Sequence, residues 1–193
     1  RCDEPDCAKE SMGPLAGKLS EIGLYMKKMS KIVICAVAGA CAGGAANLAF
    51  ACDFIYAADN AKFLQAFVGI GLCPDTGGVY TLPRMIGTHR AFDMFVTGRI
   101  VAAKEAYDIG LVKAVTTKEE LLPTVYAFAE KLTKGPTLAY RNMKKLMFES
   151  MYKGFEEYMK AESVYLGECS SSEDFKEGIT AFLEKRPAEF KGK

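Results

Sequence analysis

Between residues 11 and 28 the apolar side chains Leu15, Leu19, Ile22, Leu24, Tyr25 and Met26 recur at spacings that suit one face of an amphipathic helix. The pattern then changes. Residues 32–37 form an unbroken apolar run that predicts a fully buried strand ending at Gly39, and Gly43-Gly44 open a short helix through Ala45, Ala46, Leu48 and Ala49. Residues 53–57 read as a second buried strand closed by the turn Asp59-Asn60, and 62–65 as a short extended piece. A loop over 69–74 leads into Asp75-Thr76-Gly77-Gly78 and an apolar helix. Helices around 90–96 and 102–108 and a strand over 111–115 follow. Short strands alternating with helices indicate an α/β fold with parallel strand pairs.

From Lys118 onward the periodicity is helical throughout, over 118–134, 137–151, 155–166 and 172–185, with no strand pattern between. The expected organisation is an α/β core over 1–116 and a helical subdomain over 117–193. The apolar faces of that subdomain suit packing on a partner subunit. No internal repeat or low-complexity stretch interrupts it.

Composition narrows the function classes. The 193 residues carry a formal charge of +1, with signs mixed along the chain, so the basic stripe that nucleic acid requires is missing. The apolar stretch 32–51 approaches bilayer length but holds Gly43, Gly44 and Asn47 and runs into Cys52-Asp53; a strand, a turn and a helix account for it, and no membrane span is expected. Arg1-Cys2-Asp3-Glu4 is polar and acidic, unlike a secretory signal, and a start on arginine that runs straight into a helical pattern fits a fragment. Of seven cysteines, Cys35, Cys41, Cys52 and Cys73 sit in apolar or glycine-rich segments, as small hydrophobes do, while Cys2 and Cys7 lie in the polar leader. With no C-x-x-C pair and His89 as the single histidine, no metal site is expected, and a reducing, cytoplasmic setting fits best. Lys191-Gly192-Lys193 is not a peroxisomal S-K-L signal.

Two glycine-rich sites precede helices. In Gly39-Ala40-Cys41-Ala42-Gly43-Gly44-Ala45-Ala46-Asn47, a helix N-terminus would expose unpaired amides able to hold developing negative charge, and glycine would let a carbonyl approach them. Close packing of helix on strand explains the same residues. In Pro74-Asp75-Thr76-Gly77-Gly78, a carboxylate after the apolar residues Ile70, Leu72 and Cys73 could have its pKa raised by desolvation and act as a general base. An ordinary helix N-cap is the competing explanation. His89 has no partner for a dyad, no G-x-S-x-G elbow is present, and Glu119-Glu120 and Glu156-Glu157 read as solvated helix faces.

Taken together, these segments resemble the crotonase (enoyl-CoA hydratase/isomerase) superfamily. The likeness rests on Lys31 to Gly39, on Ala42-Gly43-Gly44-Ala45-Ala46-Asn47-Leu48-Ala49, on Cys52-Asp53, on Ala61-Lys62-Phe63 and on Ile70-Gly71-Leu72-Cys73-Pro74-Asp75-Thr76-Gly77-Gly78. Leu82-Pro83-Arg84, Thr97-Gly98 and the tail with Glu177-Gly178 and Ala181-Phe182-Leu183-Glu184-Lys185-Arg186-Pro187 extend it. It runs from about Ser11 to the end. It implies a ββα spiral core, its N-terminal part outside this sequence, with a C-terminal helical trimerisation subdomain in a homotrimer or hexamer. The substrate would be an acyl thioester of coenzyme A, with no permanently bound cofactor. Gly44 would supply one oxyanion-hole N–H, the second donor coming from an earlier segment. Gly43, Asn47, Phe67, Ile70 and Leu72 would line the substrate, and Phe182 and Lys185 would meet the CoA nucleotide, often across a subunit boundary.

Departures from the family pattern sharpen the expectation. Hydratases hold and activate water with two glutamates, and Asn47 and Phe67 stand at the matching positions. Asp75 stands where double-bond isomerases of the family keep an acidic residue. The resemblance therefore implies an enoyl-CoA isomerase with Asp75 as its single base. Other reactions using that carboxylate, namely thioester hydrolysis, aroyl-CoA dehalogenation or dienoyl-CoA isomerisation, remain alternatives, as does a silent CoA-binding subunit.

Overall fold

The computed structural model describes residues 7–193, with side chains from Met12 onward. The expectations for Cys2 and Cys7 fall outside the described side chains. The chain opens with α1 (Cys7–Lys28), then alternates between two small sheets. One sheet holds β1 (Ile34–Val37), β3 (Phe54–Ala58) and β6 (Ala114–Thr116) in the order β1-β3-β6, all parallel. The other holds β2 (Ala40–Ala42), β4 (Lys62–Leu64) and β5 (Val101–Ala102), with β2 parallel and β5 antiparallel to β4.

The chain steps from β1 to β2, through α2 (Gly43–Ala51), back to β3 and on to β4. Each step is one strand in either sheet followed by a helical return, the ββα spiral of the crotonase fold. Gly39 pins the step: its N–H donates to Asn60 Oδ1 at 3.2 Å, and its carbonyl accepts from Lys62 N at 2.8 Å. After β4 come a 3-10 turn (Val68–Ile70), α3 (Gly78–Ile86), α4 (Thr88–Thr97) and α5 (Ala103–Asp108).

Phe50, Phe63, Leu82, Met94, Val101 and Leu111 fill the space between the sheets and α2 to α5. Each such side chain contributes about 1.5–3 kcal/mol by leaving water. From Lys118 the described residues are helical: α6 (Lys118–Thr133), α7 (Thr137–Met147) running into a π turn, α8 (Phe155–Ser171) and α9 (Glu173–Glu184). Thr117 caps α6 by accepting from Glu120 N. Phe128 of α6 meets Phe54 edge-on at 5.1 Å, which docks α6 on the parallel sheet. Lys144 of α7 reaches Asp53 at 2.6 Å and the Lys31 carbonyl at 2.7 Å, and Asp53 also accepts from Val33 N.

Three local expectations change. The first strand is not fully buried: it lies at a sheet edge, with β3 as its one strand neighbour among the described residues, and it leaves Ala36 exposed and only Val37 buried. Residues 111–115 are mostly a turn, with β6 beginning at Ala114; Leu111 and Val112 are buried as core plugs rather than as strand residues. β2 and β5 gave no separate signal, because three- and two-residue strands are shorter than any periodicity. No helix of the described residues is long and apolar enough to cross a membrane.

Candidate active site

The β2 strand delivers the chain directly into α2, whose cap residue Ala42 is extended and offers no side-chain acceptor. The first turn of α2 also has no acidic residue of its own, so no side chain within that turn offsets the positive end of the helix dipole. Gly44, the second residue of this turn, is partly exposed. A methyl group on Gly44 would stand 3.1 Å from Thr76 Oγ1 and 3.6 Å from Asp75 Oδ1. The two glycine-rich segments, about thirty residues apart in sequence, thus meet at one point.

Asp75 is 8 % exposed. It does not cap α3: that helix begins behind Gly77, in the left-handed conformation at φ 74°, with no capping side chain of its own. Asp75 Oδ1 accepts from Thr76 Oγ1 at 2.7 Å, and it is this same oxygen that lies against the α2 terminus. Burial raises its pKa above the ordinary 3.8, opposed more weakly by the Thr76 hydroxyl and by its own backbone amide. A carboxylate made more basic in this way is suited to proton abstraction near neutral pH.

The backbone around Asp75 is held under strain. Thr76, a β-branched residue, sits at φ 54°, a region such residues rarely occupy. Asn47 Nδ2 donates to the Asp75 carbonyl at 2.7 Å, and Gly78 N donates to the same oxygen at 3.0 Å. Asn47 is fully buried and accepts from Gln65 Nε2 at 2.9 Å, so both ends of its amide are engaged. From the other side, Glu162 of α8 accepts Gly77 N–H at 2.9 Å through Oε2. Tyr158 O–H shares that oxygen at 2.7 Å, and Ser20 O–H of α1 donates to Oε1 at 2.6 Å.

Glu162 was not among the residues expected at the site. Its signal was present, because it lies seven residues after Phe155 and four before Leu166, on the buried stripe of α8. A carboxylate on an apolar stripe must find polar partners inside the protein. Its neighbours Glu156 and Glu157 are exposed, as expected of a solvated face.

The remaining expected residues fall in two places. Phe67 is buried beside Leu72, Ala16 and Leu166, with Ile70, Cys73 and Phe175 packed around them. A methyl on Gly43 would stand 3.6 Å from the Phe67 ring, so this cluster reaches the α2 terminus. The Cys73 thiol is pushed up to about 12, chiefly by burial, which favours its neutral form. Leu72 also borders a cavity of about 710 Å³, with Val68, Pro74, Val79 and Phe92 on its other walls. Phe182 and Lys185 stand apart from this group at the C-terminal end of α9, where Phe182 is 72 % exposed. Among the described residues no cluster of three or more His, Cys, Asp or Glu side chains could hold a metal ion.

A ββα spiral that sets an uncapped glycine-led helix terminus against a buried carboxylate defines a protein of the crotonase class. The chain belongs to the enoyl-CoA hydratase/isomerase family, whose model matches residues 13–193. It is 36 % identical over 184 residues to a trans-2-decenoyl-[acyl-carrier-protein] isomerase from Streptococcus mutans, a match covering 95 % of this chain and 70 % of that protein. It is 43 % identical over 165 residues to a crotonyl-CoA hydratase from Syntrophomonas wolfei, covering 86 % of this chain and 64 % of that one. The chain thus spans roughly two thirds of the length of these relatives. In three dimensions it is similar to an enoyl-CoA hydratase from Mycobacterium avium subsp. paratuberculosis, with a TM-score of 0.88 at 28 % identity, covering 94 % of this chain and 74 % of that one.

Proposed function

We propose that the protein is an enoyl-CoA double-bond isomerase whose base is Asp75. The observation that carries this reading is the meeting of Asp75 Oδ1 with the first turn of α2, 3.6 Å from the place of a Gly44 methyl. In the proposed reaction the thioester oxygen of a 3-enoyl-CoA accepts a hydrogen bond from Gly44 N–H, and a second donor comes from an earlier segment. The helix dipole then favours charge on that oxygen, which acidifies the C2 protons. Asp75 takes a proton from C2, and the electron pair spreads through the dienolate to the thioester oxygen. The protonated Asp75 returns the proton at C4 as the double bond moves to C2–C3. One carboxyl group serves both steps because the planar dienolate exposes C2 and C4 on the same face.

Two side chains weigh against hydration. Asn47 has its amide engaged at both ends, and Phe67 presents a ring to Gly43; neither is a carboxylate able to hold and activate water. In this reading Gly43, Phe67, Ile70 and Leu72 keep water from the dienolate, and Asn47 holds the Asp75 turn. Coenzyme A enters as part of the substrate, and exposed Phe182 and Lys185 are available to its nucleotide in a homotrimer or hexamer. Supplying the full-length protein with 2-enoyl-CoA and 3-enoyl-CoA in parallel tests the assignment. Bond migration without 3-hydroxyacyl-CoA supports it, whereas rapid formation of 3-hydroxyacyl-CoA makes the protein a hydratase and defeats it.

A further inference from the structure

We infer that Glu162 is a positioning residue for Asp75, acting through the backbone of the strained turn between them; this inference rests on Asp75 being the base. Glu162 is 5 % exposed and lies on α8, outside the α/β part of the chain that carries Asp75 and Gly44. Its two oxygens receive three donors: Ser20 O–H on Oε1, and Gly77 N–H and Tyr158 O–H on Oε2. A carboxylate so engaged is ill placed to exchange protons with a substrate.

What Glu162 does hold is specific. Gly77 is two residues from Asp75, and between them Thr76 sits at φ 54°. The Gly77 N–H is one of the donors at the start of α3 that find no backbone acceptor there, whereas Gly78 N turns back to the Asp75 carbonyl. By accepting that N–H, Glu162 anchors the far end of the turn while Asn47 anchors the Asp75 carbonyl at its near end. The turn is thereby fixed at both ends, which allows a β-branched residue to stay in a disfavoured conformation and directs its hydroxyl onto Asp75 Oδ1. The aromatic stack of Phe155 on Tyr80, at 4.9 Å and 6°, with Tyr158 at 5.1 Å from Tyr80, keeps α8 seated on α3. A helix of the all-helical part of the chain therefore sets the aim of the carboxylate in the α/β part.

The inference predicts that rate follows reach rather than charge. Glu162→Gln keeps the length, and its amide oxygen can accept from Gly77 and Tyr158 while its NH₂ donates to Ser20. Glu162→Asp keeps the charge but falls one methylene short of Gly77. In the full-length enzyme, with 3-enoyl-CoA, the Gln variant is expected within about fivefold of wild-type kcat and with an unchanged KM. The Asp variant is expected to lose on the order of 100-fold in kcat with little change in KM, as about 1 Å of misplacement does at a reacting centre. In an Asp75→Asn background, Glu162→Asp should add almost nothing to the loss of solvent proton exchange, because both changes disable one unit.

A folded Gln variant that loses more than about tenfold in kcat overturns the inference, and that comparison stands even if the Asp variant fails to fold. Full activity in a folded Asp variant also overturns it. If Asp75→Asn itself retains the rate, the proposed base is wrong. If Asp75→Asn is inactive while both Glu162 variants are normal, only the positioning role fails.

Discussion

Asn47 Nδ2 donates to the main-chain carbonyl of Asp75 at 2.7 Å, so the helix that presents Gly44 also holds the turn that presents the carboxylate. The distance between the two halves of the site is thereby set by one buried amide, itself steadied by Gln65. Replacing Asn47 with alanine would leave the Gln65 amide without its partner, rob the Asp75 carbonyl of its shortest donor and open a small void. Urea denaturation should show a loss of about 2–4 kcal/mol. A loss below about 1 kcal/mol would mean that the amide is not under this constraint.

Gly44 and Gly78 should fail differently on substitution by alanine. A methyl on Gly44 comes within ordinary or slightly tight contact of Thr76 and Asp75, so the variant is expected to fold and to lose about 10- to 100-fold in kcat by displacing the carboxylate. A methyl on Gly78 would collide with the Asn47 side chain, so that variant should be destabilised by about 1–3 kcal/mol. Thermal unfolding and steady-state kinetics on both variants check the contrast. Equal stability losses would contradict it.

The raised pKa of Asp75 and of Glu162, both caused first by burial, gives stability and activity opposite pH dependences. A carboxyl whose folded pKa lies above its unfolded value contributes stability fully below the unfolded value, and that contribution is lost as pH rises through the folded one. Stability should therefore decline as pH rises from about 4 through the raised values, while proton abstraction grows as Asp75 ionises. Asp75→Asn removes its share of the penalty, so its unfolding free energy at pH 7 should exceed that of wild type. Denaturant titrations at several pH values measure this; a variant less stable than wild type at pH 7 would contradict it.

Much of this fold was legible in the sequence, because its long helices carry apolar residues at helical spacing and its α2 and β3 segments are short, almost wholly apolar runs set off by glycine and turn residues. The first strand misled because composition reports apolarity, whereas exposure at Ala36 depends on which strands lie beside it. The short strands β2 and β5 exist through register with β4, and two or three residues carry no period of their own. At the site, Gly44 and Asp75 were legible as chemistry but not as neighbours. Whether the Asp75 side chain caps α3 needed the backbone, which hands the start of that helix to Gly77 and Glu162 instead. Glu162 was missed because its meaning lies in Ser20 and Gly77, far away in sequence.

The Lys144–Asp53 pair ties α7 to the parallel sheet at 2.6 Å, with 9 % and 20 % of the two side chains exposed. Removing only the cation leaves Asp53 partly buried beside Val33 N without its counter-ion. Lys144→Met should therefore destabilise by about 3 kcal/mol, despite preserving the apolar stem. Urea denaturation reads the effect, and a change within about 0.5 kcal/mol would show that water replaces the ammonium without loss.

The central claim is that Asp75 carries a proton between two carbons of the substrate. Incubation of the full-length protein with a 3-enoyl-CoA in deuterated water, beside Asp75→Asn, tests it most directly, with the double bond and the isotope followed by NMR and mass spectrometry. The wild type should yield the 2-enoyl product, with deuterium entering at C4 to the extent that the carboxyl exchanges with solvent. The variant should lose at least about 1,000-fold of that rate, within the range general-base catalysis supplies. An Asp75→Asn protein that still moves the double bond at close to the wild-type rate would contradict the account.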